Sequence, residues 1–391
     1  MKALSKVMIV AGEASGDLHG AKLVKALQDL SPNTKIEFFG CAGPRMREAG
    51  VIPVIKADEL SIVGVPEIIR ALPVFLRAFA ELKRAAMRQL PDIVILVDFP
   101  EFNLKLARAL KRSGHTVVYY ISPQLWAWRK YRVRTIRKYV DLLITILPFE
   151  KAWYASRGIK HVEYVGNPLV SEVYTTLDKA EFCRKHGLDT SKPVISLLPG
   201  SRQKEISRIL PVMLDAAAHI AIVRLGAQFI VAAASQTAAS EVKRIIESRD
   251  PAALSLPTTL IITENETYDA LKASDAAAVT SGTATLETGI IGTPMAIVYR
   301  GSALNYALLR PLIDVEHFGL INLIAGTRVA TELIQNDFTP EALARELLRL
   351  LEPEENRKMR VKLKTAAAML GHGGASKRAA ESIINLFAET R

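Results

Sequence analysis

The sequence predicts an α/β protein built on two doubly wound parallel sheets, and three observations carry that expectation. Short β-branched runs alternate with helical patterns of ten or more residues along most of the chain. Two such series follow one another, separated at "YVGNPLV", residues 164–170, where a strand runs into Gly166, Asn167 and Pro168. With 391 residues, 49% of them hydrophobic, the chain suits two cores better than one. The expected architecture is two Rossmann-like domains facing a cleft, over residues 1–166 and 167–365, with a C-terminal helix over 366–391 crossing back onto the first.

In chain order the first series reads "KVMIVAG", "KIEFFG", "DIVILVDF", "TVVYYIS" and "DLLITIL". The second reads "PVISLLPG", "QFIVAAAS", "TTLIIT", "AAAVTS" and "PMAIVY". Continuous apolar runs of this length, bounded by Gly, Pro, Ser or Asp, are what strands buried on both faces require. Between the second and third runs, Val65 to Leu90 places Ile68, Ile69, Leu72, Phe75, Phe79 and Leu82 at helical spacing, with five Arg and Lys residues interspersed. Pro73 is expected to split this stretch by opening a second helix. The stripe reads first as core and second as a basic amphipathic helix on a membrane surface. After Pro340 the pattern is wholly helical.

The formal net charge is +11, which favours anionic partners without choosing among nucleic acid, phospholipid and phosphorylated metabolites. From Arg70 to Lys138 there are fifteen Arg and Lys against four Asp and Glu, so the positive field is concentrated in the first half. Cys41 and Cys183 are the only cysteines and form no CxxC spacing, which argues against a disulfide framework or a cysteine-rich zinc site and fits a reducing cytoplasm. The N-terminal apolar run leads into a Gly-rich loop and reads as a first strand rather than a signal peptide. His219, Arg224 and Gln228 interrupt the longest apolar stretch, Ala216 to Ala234, making it a poor membrane span.

The sharpest chemical signal is "VTSGTATLETGIIGTP". A strand ends at Ser281 and Gly282, and a helix opening near Thr283 aims its free amides and dipole at whatever lies above the strand end, an arrangement suited to phosphate. Glu287, one turn along, is placed to accept from vicinal ribose hydroxyls; the plainer alternative is an N-cap followed by an exposed Glu. In "LLPGSRQKEI", Gly200 and Ser201 permit close backbone approach and Arg202 offers a bidentate guanidinium to a diphosphate. "AGEASGDLHG" spaces Gly12, Gly16 and Gly20 by four, unlike the GxGxxG dinucleotide pattern, and presents Glu13, Ser15, Asp17 and His19. His19 taken alone reads as a helix-face residue. Asp98 ends an apolar strand, where partial burial raises a carboxyl towards a general base's range; helix capping is its alternative.

The ordered set "AGEASGD", "GCAGPRM", "DFPEFN", "SPQLWAWR", "LPFEK", "LLPGSR", "SGTATLE" and "NLIAG", from about Val7 to Gly326, closely resembles the lipid-A-disaccharide synthase family of GT-B glycosyltransferases. The resemblance implies inverting transfer of 2,3-diacylglucosamine from UDP to the 6-hydroxyl of 2,3-diacylglucosamine 1-phosphate (lipid X), yielding a β(1→6) disaccharide 1-phosphate and UDP. It implies Asp98 as catalytic base. Arg202, Glu287 and Asn322 would hold the donor, together with Gly200, Ser201, Ser281, Gly282 and Thr283. "SPQLWAWRKYRVRTIRK" would flank the acceptor or the membrane through Gln124, Trp126, Trp128 and Arg129, with Glu13, Ser15, Asp17 and His19 on the same side, the tryptophans packing near acyl chains or the interface, with core packing as their alternative.

No cofactor and no metal are implied, and no DxD pattern occurs. The expected partners are the two lipid substrates and a membrane surface, not nucleic acid; a homodimer stands among those considered. The implied location is cytoplasmic, at the inner face of the cytoplasmic membrane. The chain departs from the family pattern at Asn167, where histidine is usual, at Ile321, where proline is usual, and at Asp314 and Glu316, in a segment expected to be more basic. The competing readings are a GT-B enzyme on soluble UDP-sugars, such as a UDP-N-acetylglucosamine 2-epimerase, and a basic nucleic-acid-binding protein. The second rests on "WAWRKYRVRTIRK" alone.

Overall fold

The computed structural model describes residues 4–61, 68–250, 255–302 and 315–389. The chain forms two compact units, one comprising residues up to Pro168 plus the segment from His372 onward, the other Leu169–Gly371. The first unit holds seven parallel strands, β1 (Lys6–Ala11), β2 (Glu37–Ala42), β3 (Ile52–Lys56), β4 (Ile93–Val97), β5 (Val117–Tyr120), β6 (Leu142–Thr145) and β7 (Val162–Tyr164). They are ordered β3-β2-β1-β4-β5-β6-β7. The second unit holds β8 (Val194–Leu198), β9 (Gln228–Ala233), β10 (Leu260–Glu264), β11 (Ala276–Thr280), β12 (Met295–Tyr299) and β13 (Glu332–Ile334), in the order β10-β9-β8-β11-β12-β13. Both are doubly wound sheets whose strand order reverses once, between β1 and β4 and between β8 and β11.

All ten strand runs read from sequence are present. The edge strands β3 and β13 were not anticipated: β3 carries Pro53 and is half exposed, and β13 has three residues, so neither shows the buried apolar run that identifies a central strand. In β1, Met8 and Val10 join one core while Val7, Ile9 and Ala11 join the other, so the sheet is covered on both faces.

Aspartates at strand entries pin the neighbouring strand's backbone. Asp92, before β4, accepts from the amides of Ser5 and Lys6, each at 3.0 Å, at the start of β1. Asp141, before β6, accepts from the Val117 amide at 2.8 Å, and Asp275, before β11, accepts from the Val194 amide at 2.9 Å. These bonds satisfy first-residue amides the ladder leaves open, and they resist register slip.

The helix Ile68–Gln89 is continuous, with Pro73 inside it, instead of two helices. The proline removes one i→i−4 bond, to the Ile69 carbonyl, without ending the helix. Val65 and the side chains of Ile68, Ile69 and Arg70 lie outside the described residues, as does Asp314. One helix among the described residues, Gln203–Val223, is long and apolar enough to cross a membrane; its inner face, including Ile209, Leu210, Met213 and Ala217, is core.

The C-terminal helix Ala375–Glu389 completes the first unit by packing on the helix Ala14–Asp29, its Ala379, Ala380, Ile383 and Phe387 sharing a core with Leu23, Val24 and Leu27. Arg378 anchors it, donating from Nε to the Val165 carbonyl at 2.8 Å. Ile383→Ala is therefore expected to destabilise this unit by about 2–4 kcal/mol, read as a lower urea midpoint at unchanged slope.

Candidate functional site

Each sheet opens a site at the carboxyl ends of the strands flanking its reversal. In the second unit β8 leads into Gly200, whose φ of +107° favours glycine and where a Cβ would come within 2.8 Å of the Glu205 carboxylate. Ser201 and Arg202 follow, exposed, at the start of the helix Gln203–Val223. Arg202 holds Glu205 at 3.2 Å in an exposed ion pair, weak enough to leave the guanidinium free to take an anionic ligand. Across the reversal β11 leads into Ser281, Gly282 and Thr283 and the helix Ala284–Ile291. Thr280 Oγ donates to the Leu198 carbonyl at 2.8 Å, tying the two strand ends together.

Gly200, Ser201, Arg202, Ser281, Gly282, Thr283 and Glu287 line one cavity of about 400 Å³. An adjoining cavity of about 670 Å³ shares Ala234, Thr267 and Glu287 with it and adds Glu172, Asn265 and Tyr268. Burial raises the Glu287 carboxyl above its ordinary range, and the Glu172 carboxylate adds to the rise. Glu172, Thr267 and Tyr268 escape a sequence reading because they come from short helices, Leu169–Glu172 and Thr267–Ala273, without a Gly-rich strand-end signal.

Asn322 does not project into this cavity. It is fully buried, its amide donating to the Ala330 carbonyl and the Glu332 carboxylate and its oxygen accepting from the amides of Val329 and Ala330, all within 2.9 Å. Every hydrogen-bonding position of the side chain is taken, so the expectation of donor contact is corrected to a structural one. Glu332 also accepts from the amides of Phe318 and Gly319, and Ser281 Oγ donates to the Phe318 carbonyl at 2.8 Å. Asn322 thus shapes the site through the 318–319 backbone.

In the first unit Asp98 follows β4 with φ +47°, and Phe99 continues the left-handed turn at +53° before the helix Pro100–Arg112. Two consecutive left-handed residues that are not glycine are strained and persist only where the surroundings over-determine them. Buried Asn103 donates to the carbonyls of Val97 at 3.1 Å and Asp98 at 2.8 Å, and Tyr119 Oη donates to the Asp98 carbonyl at 2.6 Å. Gly12 leaves room for the Phe99 ring, which lies 2.4 Å from where a Cβ would stand. The Asp98 carboxyl is pushed up to about 6, first by burial and then by the Glu13 carboxylate, with the Phe99 amide acting in the opposite sense. Asn103 and Tyr119 were not identified from sequence; the available signal was a polar residue on the apolar Asn103–Ala107–Leu110 stripe.

Glu13 and Ser15 are exposed and His19 is half-buried along the first turns of the helix Ala14–Asp29. Asp17 is buried instead: its two oxygens accept from the amides of Arg45 at 2.9 Å and Met46 at 3.1 Å, opening the short helix Pro44–Glu48. Its expected place on the acceptor side is corrected to a cap. Trp126 is likewise corrected to core. It is 6% exposed and donates to Glu150 at 3.1 Å, which also accepts from Ser122 Oγ at 2.7 Å and whose burial lifts its carboxyl to about 7. Gln124 and Trp128 are exposed, and the Arg129 guanidinium lies 4.3 Å over the Trp128 ring. Arg129 and Arg132 both pair with Glu101 in the first turn after Asp98. Asn167 is buried with its amide towards the Ile146 carbonyl at 3.3 Å.

Two parallel doubly wound sheets, each with candidate residues at its strand ends, define a protein of GT-B architecture. The fold is similar to that of a putative UDP-N-acetylglucosamine 2-epimerase from Listeria monocytogenes (TM-score 0.67, 15% identity, 100% of this chain and 98% of that one). It is also similar to the calicheamicin glycosyltransferase CalG4 (TM-score 0.56, 14% identity, 100% of both chains). A family model described as lipid-A-disaccharide synthetase matches residues 7–387. The chain is 41% identical to the lipid-A-disaccharide synthase of Trichlorobacter lovleyi over 386 residues, 98% of each chain, and 43% identical to that of Syntrophus aciditrophicus over 382 residues, 97% of each. The chain belongs to the lipid-A-disaccharide synthase family.

Because the folded state binds the Asp98 proton more tightly than the unfolded chain does, ionisation between about pH 4 and pH 6 works against folding. Asp98→Asn is expected to raise stability by about 1–2 kcal/mol near pH 7.5, a gain that vanishes towards pH 4, measured by urea denaturation across pH.

Proposed function

We propose that the protein transfers 2,3-diacylglucosamine from its UDP conjugate to the 6-hydroxyl of 2,3-diacylglucosamine 1-phosphate, giving a β(1→6)-linked disaccharide 1-phosphate and UDP. The observation that carries this reading is full-length identity near 40% to synthases of the lipid A disaccharide, joined to the raised pKa of Asp98. Asp98, ionised above about pH 6, removes the proton of the acceptor hydroxyl. The freed oxygen attacks the anomeric carbon of the donor while the bond from that carbon to the diphosphate oxygen breaks, inverting the centre and releasing UDP. The amides of Gly282 and Thr283 and the Arg202 guanidinium stabilise the charge developing on the diphosphate. Glu287 accepts from the ribose hydroxyls, and the adjoining cavity takes the nucleobase end.

Both substrates carry acyl chains, so the enzyme works at the inner face of the cytoplasmic membrane. Support for peripheral docking through the first unit comes from exposed Leu72, Val74 and Leu76 on the helix Ile68–Gln89, alongside Arg77, Lys83 and Arg84. Exposed Trp128 and Tyr131 lie within the cationic stretch that follows β5.

The test is a detergent-micelle assay with both lipid substrates, following UDP and disaccharide by mass spectrometry; UDP release without disaccharide would sink the acceptor assignment. Asp98→Asn is expected to lower turnover at least about 100-fold while UDP affinity by calorimetry is unchanged. In the parent enzyme kcat/KM should fall about tenfold per pH unit below pH 6, since protonation removes the base. Glu287→Ala is expected to raise the donor KM about tenfold or more with a smaller change in kcat, checked by steady-state kinetics.

A further inference from the structure

At the opposite, amino-terminal edge of the second sheet lies a cavity of about 630 Å³ that the transfer reaction does not use. It is bounded by the entries to β8 and β11, the end of the helix Gln203–Val223 and the helix Pro353–Ala368. Six cations line it, Lys179, Lys192, Arg224, Arg357, Arg360 and Lys364, against one carboxylate, Asp275. Asp275 is already held by Lys179 at 2.7 Å and by the Val194 amide. Arg360 forms part of the wall, donating to Asn356 Oδ1 at 2.8 Å and the Gly292 carbonyl at 2.9 Å. Arg357, Arg360, Val361 and Lys364 follow one another along a single helix face. Among the described residues Arg224, Arg357 and Lys364 are exposed and have no ion-pair partner.

The same surface carries aliphatic residues that a folded chain ordinarily covers. Ile222 is 66% exposed, Val223 71% and Leu225 87%, flanking Arg224, and Val361 in the cavity wall is 62% exposed. Exposed aliphatics interleaved with unpaired cations match a surface that is anionic at its face and apolar just beneath, which is the profile of an acidic phospholipid leaflet.

We propose that this cavity is a second membrane contact, in which Arg224, Arg357 and Lys364 hold phospholipid phosphates while Ile222, Val223, Leu225 and Val361 enter the headgroup boundary. It deepens the membrane reading given above and rests on it. The contact lies at the sheet edge opposite the Arg202–Glu287 cavity, so lipid bound here leaves the nucleotide pocket of the same unit open.

The experiment is vesicle co-sedimentation of the full chain without substrates, using phosphatidylglycerol-containing and pure phosphatidylcholine vesicles. Each cation near an anionic surface contributes about a fivefold factor, so the triple variant Arg224→Ala/Arg357→Ala/Lys364→Ala should lose at least tenfold in partition to the anionic vesicles. Its UDP affinity and thermal midpoint should match the parent, and a separate Leu225→Ser variant should lose partition severalfold. An Arg224→Lys/Arg357→Lys variant should keep most of the parent's binding. A Leu72→Ser/Leu76→Ser variant reports the first unit's docking independently. Partition of the triple variant within twofold of the parent overturns the proposal, whatever that first-unit variant does. So does a titration in which inorganic pyrophosphate binds the parent and not the triple variant while vesicle partition is unchanged, since the cavity would then serve a soluble phosphate.

Discussion

The reversal of strand order within each sheet is the constraint on which the rest of the molecule depends. Where chain connections leave in opposite directions from β1 and β4, and again from β8 and β11, no crossover helix closes the space above the strand ends, and loops with chemical content occupy it. Those loops are held from the far end of the same strands. Asp92 and Asp275 bind the first amides of β1 and β8, so the strands that deliver Gly12, Asp98, Gly200 and Ser281 are locked in register. A one-residue slip would invert every side chain on the strand and carry the site with it.

The two sites use this shared frame differently. In the second unit Gly200, Ser201 and the helix opening at Thr283 offer backbone at the strand ends, and Arg202 supplies an exposed charge. In the first unit the strand end is rigid. Asp98 and Phe99 sit in a left-handed turn clamped by Asn103, Tyr119 and the ring contact over Gly12. The proposed role of Asp98 as base calls for one orientation and a raised pKa, and burial beside Glu13 supplies the second at a cost in stability. A diphosphate cradle gains from donors that adjust to the ligand.

Several polar residues near these sites act through backbone instead of ligand. Asn322 and Glu332 organise the 318–319 segment, Asp17 caps a helix, and Glu150 gathers Ser122 and Trp126 beneath the cationic stretch after β5. The segment that suggested nucleic acid or membrane at first sight is thereby divided. One tryptophan is core, the other is exposed under a guanidinium, and two of its arginines are engaged by Glu101.

The presence of the central strands, their succession in two series and the strand-end loops that carry Gly200, Arg202, Ser281 and Glu287 were legible in the sequence because each depends on local signals: a continuous buried apolar run, or a Gly-rich turn where strand meets helix. The edge strands β3 and β13 were not legible, since an edge needs little burial and leaves no apolar run. Nor were the roles of Asn103, Asp17, Asn322 and Trp126. Whether a polar side chain faces a ligand or a backbone amide is settled by which distant segment packs over it, across separations such as those from Asp17 to Met46 or Trp126 to Glu150. The sequence by itself determined the class of fold and offered candidates to meet a phosphate. Only the tertiary structure decided which polar groups remain available to do so, because hydrogen-bond saturation is a property of the packed chain and not of any motif within it.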